Sequence, residues 1–183
     1  VEKDTLCLDI TKAEAALSSK TKAIMLVSAN GRYPQSGIDK YVNFCKKNNL
    51  VLIEDAAQSL GSFYPDQTHI GRKGIVGSFS FSAPKIISTG QGGCLITDDD
   101  SVAAKLRLLK DFGRSSGGGS DLHESIGYNF KFTEMQAVIG LAQMEKLKWR
   151  VNRKKEIYSL YAELLNKLPE LNLFSHNLEL TAP

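Results

Sequence analysis

Cysteine and histidine are both scarce in this chain. The three cysteines, Cys7, Cys45 and Cys94, stand single and far apart. That is neither a disulfide framework nor a zinc pattern, and it suits a reducing cytosol. The three histidines, His69, His123 and His176, are equally scattered, so no metal site is expected. No apolar run approaches membrane-spanning length and no signal peptide is visible. The expected compartment is therefore the cytoplasm, with no membrane partner. The charge imbalance is only +3, too little by itself to call for nucleic acid or an anionic surface. An initiator methionine is absent too: "VEKDTLCLDI" reads as the interior of a protein, so truncation or processing is expected.

What is present is ordinary in composition and informative in pattern. With 183 residues, 42% hydrophobic and 23% charged, the chain is long enough for one domain with a real core. Thr11 and Glu14 have capping-box spacing and predict a short helix through "AEAALSS". "AIMLVS" (23–28) and "LVLIED" (50–55) are continuous apolar runs of strand length, with the helical spacing of "IDKYVNFCKKNN" (38–49) between them. Strand, helix, strand with such runs predicts an α/β fold with a mainly parallel sheet covered on both faces, a three-layer αβα arrangement. "GSFSFS" (77–82) and "GCLITD" (93–98) predict two more strands, and "DDSVAAKLRLLKDFG" (99–113) a helix with Gly113 past its end. A glycine- and serine-rich loop follows. Thr133 with Gln136 then opens a helical pattern running to Leu168, long enough to be an arm leaving the main body. Pro169 stops it, and "LNLF" (171–174) is read as the start of a strand.

Two residues in this pattern carry chemistry. Ligands of open parallel sheets bind beyond the carboxyl ends of the strands. Asp55 sits at such an end, and Lys85 lies in the small-residue loop "FSAPKIISTGQGG" (81–93) after the next strand. Each has a plainer reading. Asp55 and Gln58 have capping-box spacing, and an isolated loop lysine is usually solvated.

Three segments, "EDAAQSLGSFY", "GSFSFSAPKIISTGQGGCLITDD" and "GYNFKFTEMQAVIGLAQMEKL", in this order and spacing, resemble the DegT/DnrJ/EryC1/StrS family of sugar aminotransferases. These are fold-type-I enzymes dependent on pyridoxal 5'-phosphate (PLP). The resemblance implies a division into part of a PLP-binding large domain (1–132), a connecting helical region (133–168) and the start of a small C-terminal domain (169–183). It makes Lys85 the lysine that binds the cofactor covalently, which requires an amine that is neutral part of the time. Thr89, Gly90, Gly92 and Gly93 would let backbone approach the cofactor. Asp55 would keep the pyridine nitrogen protonated. Gln58 would lie near the ring's phenolic oxygen, Ala57 against its face, and Ser80 at the phosphate. Read without the family, Ser80 is one polar member of an alternating strand.

The third segment implies a homodimer with shared active sites, in which Asn129 reaches the partner's PLP phosphate. Without the family, Asn129 is equally a turn residue. Lys131 stands where the family often has Arg, near the sugar nucleotide; lysine there lacks the bidentate fork. "NGRYP" (30–34) and Lys131 resemble perosamine-synthase-like members, a pointer to a GDP-linked keto-deoxyhexose. "SSGGGSDLHES" (115–125) is either a mobile substrate loop or a solvated linker.

The implied function is transfer of an amino group from glutamate to a nucleotide-linked keto-deoxysugar. PLP-dependent sugar dehydratases of the same family are an alternative, but they carry His where this chain has Lys85. An inactive fragment is another alternative, because the family's phosphate-binding loop and ring-stacking aromatic have no counterpart here. The basic stretch "EKLKWRVNRKK" (145–155), with Trp149 inside it, suggests nucleic acid. Glu156 and Glu163 follow, however, and a solvated interfacial helix is the better reading.

Overall fold

The computed structural model describes residues 1–115 and 122–183. The helices are α1 (Ile10–Ala15), α2 (Ile38–Lys47), α3 (Asp100–Lys110), α4 (Glu134–Met144) and α5 (Leu147–Leu165). The strands are β1 (Ala23–Val27), β2 (Val51–Asp55), β3 (Val76–Ser80) and β4 (Gly93–Ile96). They form one sheet in the order β1-β2-β3-β4. The first three are parallel and β4 is antiparallel to β3, so the sheet is mainly parallel and the fold α/β, as the apolar runs predict.

Alternation along the strands divides the sheet into two faces. Ile24, Leu26, Leu52 and Phe79 point to one, where they form a buried core with Ile38, Tyr41, Phe44 and Cys45. Those four recur at helical spacing, so α2 presents one apolar stripe to the sheet. The opposite face carries Met25, Val27, Val51 and Leu95, all exposed, together with Asp55, Ser78 and Ser80. The register places Val27 beside Asp55 and Asp55 beside Ser78, so β1 and β2 end level and β3 runs two residues further, to Ser80.

Glu54 points into the core face and is fully buried. Its oxygens accept from Tyr64 Oη at 2.6 Å and from the backbone N–H groups of Gly71 at 2.9 Å, Lys73 at 2.5 Å and Gly74 at 2.5 Å. A buried carboxylate is tolerated only when so satisfied. It draws residues 71–74 over β3 closely enough that a Cβ on Gly77 would lie 1.9 Å from the Gly71 carbonyl oxygen.

Three expectations need correction. The cap of α1 is Asp9, whose Oδ1 accepts from the Thr11 and Lys12 N–H groups; Thr11 instead lies inside the helix and donates its hydroxyl to Asp9. The arm from 133 is two helices, broken at Glu145–Lys146. The Thr133–Gln136 capping box is present. No strand forms at 171–174; this segment runs irregularly back toward the body. The break in the arm lets α5 dock on two loops: Val151 packs against Gly61, and Arg150 Nη1 donates to the Ile86 carbonyl at 3.4 Å.

No described helix is long and apolar enough to cross a membrane. Of the expected loop 115–125, residues 116–121 lie outside the described residues.

Candidate active site

Beyond the strand ends the loops after β1 and β2 meet. Ser28 N–H donates to the Asp55 carbonyl and Ala56 N–H to the Ser78 carbonyl, both at 3.0 Å, continuing the sheet one residue past its edge. Ser59 Oγ donates to the Ser28 carbonyl at 2.7 Å. Gln58 Oε1 accepts from the Asn30 N–H at 2.9 Å.

This geometry corrects the capping-box reading of Asp55. No helix begins after it; the chain makes successive turns through 57–61. The Gln58 side chain reaches across to Asn30 rather than back to Asp55. Asp55 Oδ1 accepts from the Ala57 N–H at 3.0 Å and from Ser78 Oγ at 3.3 Å. Among the described residues, Oδ2 has no donor. One oxygen therefore fixes the carboxylate and the other is left for a ligand on the open face of the sheet.

On the same face Ser80 Oγ lies 3.1 Å from Ser82 Oγ and accepts from the Ser82 N–H at 3.3 Å. The loop then turns, with Lys85 N–H donating to the Ser82 carbonyl at 3.1 Å. Lys85 is half-buried, and no carboxylate pairs with it among the described residues. The loop itself is well anchored. Ile87 and Thr89 are buried, Thr89 N–H donates to the Phe81 carbonyl at 2.9 Å, and Gln136 Nε2 of α4 donates to the Gln91 carbonyl at 2.9 Å.

Asp55, Ala57, Gln58 and Ser80 thus come together at one end of the sheet, and Lys85 follows directly from it. Asn129 and Lys131 do not join them within the chain. They line a cavity of about 1230 Å³ with β4, α3, the segment 128–132 and the two ends of the Lys85 loop at Phe81, Gln91 and Gly92. Lys131 Nζ pairs with Asp111 Oδ1 at 3.1 Å, and Arg114 Nη2 reaches the same oxygen at 2.7 Å. The bond from Arg114, with that from Lys131, holds the Asp111 carboxyl below its ordinary range. The Asn129 backbone bridges to Asp111. Sequence reasoning missed Ser78 and Asn30, which orient Asp55 and Gln58. The alternation of "GSFSFS" places Ser78 on the Ser80 face and was the available signal.

The fold is α/β, with a candidate site at the carboxyl ends of its parallel strands. Residues 1–179 match the DegT/DnrJ/EryC1/StrS aminotransferase family, and the chain belongs to it. It is 36% identical over 169 residues to the GDP-perosamine synthase of Caulobacter vibrioides, across 90% of this chain and 43% of that protein. Among solved structures it resembles DesI in the presence of its TDP-sugar product. The TM-score is 0.87 and the identity 29%, over 100% of this chain and 45% of that one. It also resembles a GDP-4-keto-6-deoxymannose-3-dehydratase with a trapped PLP–glutamate geminal diamine. There the TM-score is 0.80 and the identity 25%, over 92% and 47% of the two chains. The chain thus spans less than half the length of these proteins.

The cofactor the family implies is PLP, and the residues fit it. A ring nitrogen needs one free carboxylate oxygen, and Asp55 Oδ2 is free. A phosphate needs donors, and the adjacent hydroxyls of Ser80 and Ser82 face the same side. The aldehyde needs an amine without a counter-ion, and Lys85 is one.

Proposed function

We propose that this chain forms the catalytic centre of a PLP-dependent aminotransferase that moves an amino group from glutamate to a nucleotide-linked keto-deoxysugar. The observation that carries the proposal is Asp55 at the carboxyl end of β2, held through Oδ1 with no donor to Oδ2 among the described residues, and Lys85, with no carboxylate partner among them, in the loop after the neighbouring parallel strand β3. Family membership supports the reaction class. Likeness to a GDP-perosamine synthase and to DesI supports a nucleotide sugar as acceptor.

PLP bound here supplies an electron sink for the carbon that exchanges its amino group. The chain's own residues do the rest. Asp55 Oδ2 would hold the proton on the ring nitrogen. Gln58, whose Oε1 accepts from Asn30 N–H, would offer its amide NH2 to the phenolic oxygen. Ala57 would lie against the ring, and Ser80 and Ser82 would donate to phosphate oxygens. Lys85 Nζ takes the proton from the α-carbon of glutamate and later delivers one to the sugar carbon, as general base and then general acid. Lys85, where related dehydratases carry His, favours amino transfer over dehydration.

In a homodimer Asn129 of a second copy completes the phosphate site, and Lys131 contacts the nucleotide sugar once it exchanges Asp111 for a phosphate. The test is a half-reaction with the intact, PLP-loaded protein. Glutamate should yield one 2-oxoglutarate per site, and Lys85→Ala should yield none. Release of 2-oxoglutarate by the Lys85→Ala protein at the wild-type rate would remove the proposal's basis.

A further inference from the structure

We propose that residues 174–182 form a strap that positions the two loops carrying Asn30 and Gln58, and through them the cofactor end of the site. The second half of this inference rests on the function proposed above.

The strap touches both loops. Phe63 N–H donates to the Leu180 carbonyl at 2.8 Å, and Ala182 N–H donates to Ser62 Oγ at 2.9 Å. Both contacts fall on the loop that begins with Asp55 and Gln58. The β1 loop meets the strap at Gly31. A Cβ there would lie 2.2 Å from the Ala182 carbonyl oxygen and 2.9 Å from Ser62 Oγ, and Gly31 has φ +75°. Only glycine allows strap and loop this close.

The strap's other end closes on Arg32, whose guanidinium lies 4.4 Å from the centroid of the Phe174 ring. Arg32 is buried, and its Nε donates to the Thr5 carbonyl at 3.0 Å, while Nη2 has no hydrogen-bond partner among the described residues. A buried cation without a carboxylate depends on such a ring for part of its stabilisation. Tyr158 of α5 donates to the Phe174 carbonyl at 2.7 Å and meets His176 edge-on with centroids 5.1 Å apart. Thr181 and Ala182 are buried. The strap is thus anchored on Gly31 and Arg32, the residues directly after Asn30, and on Ser62 and Phe63, a few residues past Gln58.

Phe174→Leu removes the ring face and keeps an apolar side chain; Phe174→Tyr keeps the face. Hydrogen exchange of the intact protein should show faster exchange at the amides of residues 30–32 and 58–63 in Phe174→Leu, not only at 174–182. The PLP dissociation constant should rise about two- to five-fold, the scale of a cation–π contact whose ring is partly exposed. Phe174→Tyr should behave as wild type in both. Faster exchange confined to 174–182, or an unchanged PLP affinity despite loosened loops, overturns the inference. If wild-type protein fails to hold PLP while the loops loosen in Phe174→Leu, the functional proposal and the cofactor half fall. The mechanical coupling then stands.

Discussion

Replacing Glu54 tests how the sheet end that carries Asp55 is held. The carboxylate is fully buried and accepts from Tyr64 Oη and three backbone N–H groups. In Tyr64→Phe one donor is lost and three remain, so the cost should be about 1–2 kcal/mol. In Glu54→Gln the amide NH2 must face either the N–H groups of Lys73 and Gly74 or the side of Tyr64 and Gly71. On the second side Tyr64 can turn its hydroxyl to accept, but Gly71 N–H is left without a partner. One orphaned donor and weakened bonds at the others, less the relief of no longer desolvating a charge, amount to about 2–4 kcal/mol. Glu54→Leu strands all four donors, at ~1–3 kcal/mol each, and so approaches the whole stability of a domain, about 5–15 kcal/mol. Urea titration of the intact protein, followed by far-UV circular dichroism, should therefore rank the losses Tyr64→Phe, then Glu54→Gln, then Glu54→Leu, the last barely folding. A Glu54→Leu protein as stable as Tyr64→Phe would refute the reasoning.

Asp55→Asn keeps the shape that accepts from Ala57 N–H but removes the charge, so PLP should still bind while turnover falls by orders of magnitude; near-normal turnover would mean that the acid partner lies elsewhere. Mixing Lys85→Ala with Asn129→Ala protein should restore activity in heterodimers if the sites are shared, and activity no higher than either parent after confirmed subunit exchange counts against sharing. Acid should destabilise the fold through two histidines. His69 is neutral by geometry, Nδ1 donating to the Ile70 carbonyl at 2.6 Å and Nε2 accepting from Gly61 N–H at 2.9 Å, and burial lowers its pKa. Burial, then Arg32, lowers that of His176 to about 4. The unfolded chain binds more protons below roughly pH 6.5, so this stability is full above that pH and is lost as pH falls through about 4. Melting temperatures from pH 7.5 to 4.5 should fall, and His176→Gln should flatten part of the fall; a melting temperature that rises on acidification contradicts this.

Much of this was legible in the sequence because it rests on local pattern. The runs at 23–28 and 50–55 are strands, the helix between them buries its periodic stripe, and the loop of Lys85 lies where the flanking strands leave it. What escaped was decided by contacts between distant residues. Nothing in "QMEKLKW" marks a break; α5 turns away there because Val151 and Arg150 dock on the loops of Gly61 and Ile86. The α1 cap is the local exception: Asp9, two residues before Thr11, takes the Thr11 and Lys12 N–H groups with its own carboxylate, a signal the sequence carried. "LNLF" has strand composition but no strand to pair with, and Phe174 is instead taken up by Arg32. Gln58 was placed near the cofactor from its family position. Its partner Asn30, 28 residues away, could only be seen in the fold.

The proposed chemistry turns on Lys85 holding the cofactor. The intact protein should be loaded with PLP, reduced with borohydride, digested and mapped by mass spectrometry. The pyridoxyl mass should appear on the peptide containing Lys85 and should vanish in Lys85→Ala. Its appearance on any other lysine, or its persistence in Lys85→Ala, would contradict the account.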